Sequence, residues 1–139
     1  MGGERPKPGA DGACPIRSST ILLLFLLLLV TGLPAVAGLE TLGFRPGAIA
    51  DHLTSTGGVL TGHDQMSELR WLEAGATASH GTVMEPCNFP TKFPQPALAI
   101  GWYTRGETVL EAYWKSVAMP GQGVGVFVGE PLAAPFRAR

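Results

Sequence analysis

The sequence predicts an α/β fold, a small partial sheet of two to three strands with flanking helices, preceded by an N-terminal hydrophobic helix. Three observations carry that expectation. An uninterrupted apolar block, "ILLLFLLLLV", runs from Ile21 to Val30. Between positions 64 and 128, segments patterned as helix, strand, helix, helix and strand follow one another, the order of an α/β layer in which successive strands tend to run parallel. Glycine and proline, 19 and 12 of 139 residues, fall at irregular intervals, which marks turns rather than a low-complexity repeat.

The hydrophobic share of 45% is that of a globular chain, and the net charge of −1 arises from basic residues dispersed among acidic ones. No basic stripe is available to neutralise phosphates, so a nucleic-acid partner is excluded.

The N-terminus has the layout of an export signal. Arg17 precedes the apolar block, and Ala35-Val36-Ala37 supplies a small-x-small site, so cleavage is expected before Gly38. The alternative is an uncleaved anchor with the membrane as partner through residues 19–37, in which Ile21 to Ala37 gives 17 mostly apolar residues, just short of the roughly 18 to 20 a span needs. Gly32 and Pro34 oppose a firm helix there, while Glu4, Asp11 and the length of the leader oppose an ordinary signal. Both readings divide the chain into 1–37 and an α/β segment 38–139. Both place the segment outside the cytoplasm, in the cell envelope, periplasm or extracellular space. Cys14 falls in the leader, leaving Cys87 alone, so no disulfide framework is expected, and burial is the commonest use of a lone cysteine.

After a Gly/Pro-marked lead, "GFRPGAIADHLTSTGGVLTG", the segment "DQMSELRWLEAG" reads as a helix of about ten residues. Asp64 is its expected N-cap, Met66, Leu69 and Leu72 its apolar face, and Gly75 its terminator. "ATASHGTVMEP" reads as a short buried strand that ends at Pro86. "CNFPTKFPQP" must then be loop, with Phe89 and Phe93 expected to pin it. A short helix is expected from Pro96, and a firmer one in "ETVLEAYWKSVA", with Glu107 at its start, Lys115 in its last turn and Leu110, Trp114 and Val117 as the core face. Val124, Val126, Phe127 and Val128 form a closing strand. So small a sheet leaves open edges, where a protein partner is expected.

Across "GAIADHLTSTGGVLTG", "QMSELRWLEAGATASHGTVMEPCNFPTKFPQP" and "RGETVLEAYWKSVAMPGQGVGVFVGEPLAAPF", the chain resembles the C-terminal third of a family of exported bacterial proteins of uncharacterised activity. More distantly, its "GTVMEP" strand and closing "GEPL" are similar to the end of the caspase-like α/β domain of gingipain-type cysteine peptidases. The resemblance implies a non-catalytic, truncated member that lacks the earlier strands of the sheet.

Two further readings belong to other classes. One is a cysteine hydrolase with Cys87 as nucleophile and His80 as base, the residue types such chemistry requires. Against it, the caspase-like pattern sets its histidine and cysteine on two strands far apart in sequence, whereas here both lie within "SHGTVMEPC". The other is a cell-envelope interaction module that pairs through an open sheet edge. His52, His63, Asp64 and His80 carry metal-ligand chemistry but lack short-spaced pairs, and no pattern calls for a cofactor. "LTSTGG" reads as a turn rather than an anion cradle, lacking a phosphate loop's lysine. Trp71, Trp102, Trp114, Tyr103 and Tyr113 read as core rather than as a carbohydrate-binding face.

Overall fold

The end of the apolar block is a strand. The structure, a computed structural model, describes residues 28–84, 89–118 and 124–138. Its strands are β1 (Leu28–Thr31), β2 (Ile49–His52), β3 (Ala78–Met84) and β4 (Val124–Gly129). Its helices are α1 (Leu69–Glu73), α2 (Pro96–Tyr103) and α3 (Val109–Ser116). The sheet order is β1-β2-β3-β4, with β1, β2 and β3 parallel and β4 antiparallel to β3.

The mixed α/β class is as expected, but the sheet has four strands rather than two or three. The two additional strands lie in the leader and in the Gly/Pro-marked lead. Four residues of Leu, Val and Thr suit a parallel strand as well as they suit an apolar helix. β1 takes the strand form beside β2, with Leu28 opposite Ile49 and Thr31 opposite His52. The Thr31 carbonyl accepts the Leu53 N–H at 2.7 Å. The expected hydrophobic helix therefore does not extend past Leu28, and its part before that lies outside the described residues. No helix among the described residues is long and apolar enough to cross a membrane.

Successive residues of a strand face opposite sides of the sheet, and Ile49 and Ala50 accordingly seed two cores. Ile49 packs with Ala78, Tyr103, Val109, Ala112 and Tyr113 beneath α2 and α3. Ala50 packs with Leu39, Trp71 and Ala76 beneath α1, and Leu29, Val36, Phe44 and Met66 lean on that cluster. The connections β1-to-β2 and β2-to-β3 thus cross the same face, as they must when parallel strands step in one direction with one handedness. Cleavage before Gly38 would remove β1, together with the contacts of Leu29 and Val36.

Three local expectations are corrected. α1 is five residues long and begins at Leu69, so Asp64 is not its cap; Gly75 does terminate it, with φ 102°. On α3 the buried stripe is Val109, Ala112, Tyr113 and Ser116, whereas Leu110 and Trp114 are 43% and 72% exposed. Small side chains at 112 and 116 let the helix approach the sheet closely enough for Tyr113 to reach β2. The start of α3 is fixed by Thr108, which caps the Glu111 N–H while Glu111 returns to the Thr108 N–H. Glu107 lies outside the helix and pairs with Lys115 at 2.6 Å.

Strand direction is the third. One helical connection returns a chain to the start of the strand it left; two bring it back to the end, so β4 descends antiparallel to β3. In the preceding loop Phe93 is half-buried beneath Lys92, whereas Phe89 is 44% exposed.

Candidate functional site

Ligand sites of open α/β sheets form beyond the carboxyl ends of the parallel strands. Here β2 ends in Asp51-His52, two polar residues buried within a strand. The Asp51 carboxylate accepts the His80 N–H at 2.8 Å, the Ser79 hydroxyl at 3.1 Å and the Tyr113 hydroxyl, which lies 2.9 and 2.8 Å from its two oxygens. Burial pushes its carboxyl up to about 6 in spite of these donors. Burial and the Asp51 charge hold the Tyr113 hydroxyl well above its ordinary value, so it serves as a neutral donor.

His52 is committed at both ring nitrogens. The Trp71 indole donates to Nδ1 at 2.9 Å, which leaves the proton on Nε2, and Nε2 donates to the Met66 carbonyl at 2.5 Å. Burial lowers its basicity. A ring so held is neutral and has no lone pair left for a metal or a substrate proton.

Glu68, immediately before α1, has no solvent exposure, and neither of its carboxyl oxygens has a hydrogen-bond partner. Burial first, and then the Asp51 charge, push this carboxyl up to about 8, so it is protonated at neutral pH. The buried Thr54 hydroxyl is likewise unpartnered.

Residues 53–68 cover these groups. The Gly58 N–H donates to the Thr82 carbonyl at 2.9 Å, and the Glu68 N–H donates to the Gly57 carbonyl at 2.8 Å. A Cβ on Gly58 would stand 2.4 Å from the Gly81 carbonyl oxygen, and one on Gly81 2.3 Å from the Gly58 nitrogen. The paired glycines therefore let two backbones touch, and the Gly58 N–H is spent on β3 rather than offered to an anion. In the same loop Thr56 Oγ1 lies 2.8 Å from His63 Nδ1, a spacing suited to a nucleophile and its base. Gln65 Oε1 accepts both the Thr56 N–H and the Thr56 hydroxyl, at 2.7 and 2.6 Å, so the hydroxyl proton is spent on the glutamine, and the Gln65 N–H in turn donates to His63 Nδ1 at 3.5 Å. The trio closes the turn.

His80 and Cys87 fare differently. His80 lies on β3 with its ring stacked on Tyr113 at 6.0 Å and set against Gly125, and burial pushes it down to about 4. Among the described residues its ring nitrogens have no hydrogen-bond partner. Cys87 lies outside the described residues. The structure does not bring His52, His63, Asp64 and His80 together: no three His, Cys, Asp or Glu among the described residues stand where they would hold a metal. Of the aromatics, Trp71, Tyr103 and Tyr113 are buried, Trp102 is half-buried beneath Arg105 and Lys115, and Trp114 is exposed. They share no face.

Asp51, Glu68 and Tyr113 did not stand out in the sequence. The available signal was "AIADH", small apolar residues leading from a Pro-Gly turn, which is how a strand begins. No family model, curated protein or solved structure matches the chain.

Proposed function

We propose that the chain is a non-catalytic α/β unit of an exported or membrane-anchored protein, corresponding to the C-terminal end of a larger caspase-like domain, and that it works by association rather than by chemistry. The supporting observation is that three groups at the carboxyl ends of β2 and β3 are spent on neighbours: Asp51 on three donors, His52 on Trp71 and Met66, Gly58 on Thr82. Catalysis needs a base with a free lone pair and a donor aimed at substrate. The place for association is β1, which has no strand on its outer side among the described residues. Parallel strands belong in sheet interiors, and an uncovered one offers its backbone N–H and C=O groups to another chain.

The experiment places one cysteine at Thr31, at the end of β1, or at exposed Thr104 after α2, in a Cys14→Ser, Cys87→Ser background. Oxidative cross-linking between copies at 31 and not at 104 is expected; equal cross-linking, or none, contradicts edge association. Iodoacetamide labelling of wild-type Cys87 tests the hydrolase reading. A thiol reacting only towards its ordinary value near 8.5 supports the non-catalytic unit, and rapid labelling at pH 6 overturns it.

A further inference from the structure

Residues 53–68 are held to the sheet by a short series of bonds. Leu53 N–H reaches the Thr31 carbonyl at 2.7 Å, Gly58 N–H the Thr82 carbonyl at 2.9 Å and Met66 N–H the Pro34 carbonyl at 2.8 Å, while the Met66 carbonyl accepts from His52. The segment ends at Glu68, whose N–H fastens Gly57 at 2.8 Å and whose carboxyl is fully buried without a partner. We propose that this segment is a pH-released cover over the carboxyl ends of β2 and β3, with Glu68 as the latch that holds it shut while protonated.

The reasoning is electrostatic. A neutral carboxyl tolerates an apolar, unpaired position at modest cost, whereas a buried carboxylate needs a cation or several donors. The titratable groups acting on Glu68 are Asp51 from β2 and Tyr113 from α3, and neighbouring His52 on β2 is neutral. None of the three supplies a positive charge, and ionised Asp51 repels a second carboxylate. Ionisation therefore favours a conformer in which Glu68 reaches water, and that movement breaks the Glu68–Gly57 bond and frees the glycine turn from β3. Release uncovers Gly81 and Thr82 on β3 and His52 at the end of β2, the position where open α/β sheets take ligands.

Amide hydrogen exchange on the full chain between pH 5 and 9, corrected for intrinsic rates, tests the proposal. When opening releases one proton, the opening constant rises up to about tenfold per pH unit until the closed-state group has ionised. Protection at Gly58, Met66 and Glu68 is expected to fall on that slope from about pH 5 and to level near 8. At pH 8 the amides of Ala99 and Ala112, bonded within the α2–α3 layer, should remain at least about tenfold better protected. The Glu68→Gln variant should show no slope at the three loop positions. A flat wild-type loop, loop amides that exchange only together with α2 and α3, or an unchanged slope in Glu68→Gln would overturn the proposal. If Glu68→Gln fails to fold, carboxyl-carbon NMR of wild-type Glu68 decides: titration over the range of loop opening supports the latch, and an ordinary value near 4.3 removes it.

Discussion

Asp51 and Glu68 are two buried acids of one cluster, held in opposite ways. Asp51 sits within a strand and collects donors from β3 and α3, which makes it the point where sheet and helix layer are tied. Glu68 sits at the end of a loop with both oxygens unpaired. Burial raises both, but hydrogen bonds offset part of the cost for Asp51 alone and the Asp51 charge further raises Glu68, which is why the two stand at about 6 and about 8. Burial by itself therefore does not make an acid structural. Donors do, and an acid without them stores a proton.

Removing Trp71, at the centre of the core beneath α1, is expected to have the largest effect. Trp71→Ala deletes a fully buried indole and the donor to His52, and a loss of about 3–5 kcal/mol is expected in urea unfolding at pH 6. pH alone comes next. Both acids keep their protons to higher pH in the folded protein than in the unfolded chain, which lowers stability as pH rises. Buried His80 and His52 act in the opposite sense below about 6.5, so the net fall belongs to Glu68 between about 6.5 and 8. The fall runs from about 4 to 6 for Asp51 and from about 4.5 to 8 for Glu68, at up to about 1.4 kcal/mol per pH unit for each proton. Unfolding midpoints that stay constant from about pH 6.5 to 8 would contradict this.

Tyr113→Phe sharpens the comparison by taking a donor from Asp51 only. About 1.5–3 kcal/mol should be lost near pH 7, less where Asp51 is protonated, with the Glu68-dependent part of the pH profile unchanged. Trp114→Ala is the smallest. At 72% exposure its removal should fall within about 0.5 kcal/mol of wild type, against several for Trp71, although both tryptophans read as core in the sequence.

The sheet–helix alternation from β3 to β4 was legible because glycines and prolines punctuate its boundaries. β1 was not, because a few Leu and Val residues carry no period that separates strand from helix. β2 was hidden by Asp51 and His52, whose burial depends on Ser79, His80, Tyr113 and Trp71, partners distant in sequence. The face of α3 was misread for a related reason. Leu110 and Trp114 are the larger apolar residues, but the hydroxyl of Tyr113 decided the orientation by its bond to a buried carboxylate. Periodicity reports hydrophobic area, and this cluster is organised by polar groups.

The central claim, that His52 is committed to its neighbours and His80 is held as a neutral buried ring, neither being a base ready for chemistry, is tested most directly by imidazole nitrogen NMR of the two across pH. His52 should carry its proton on Nε2 and gain a second only below its ordinary value, and His80 should remain neutral until about pH 4. A ring that gains its proton at or above the ordinary value near 6.5, or a His52 protonated on Nδ1, would contradict it.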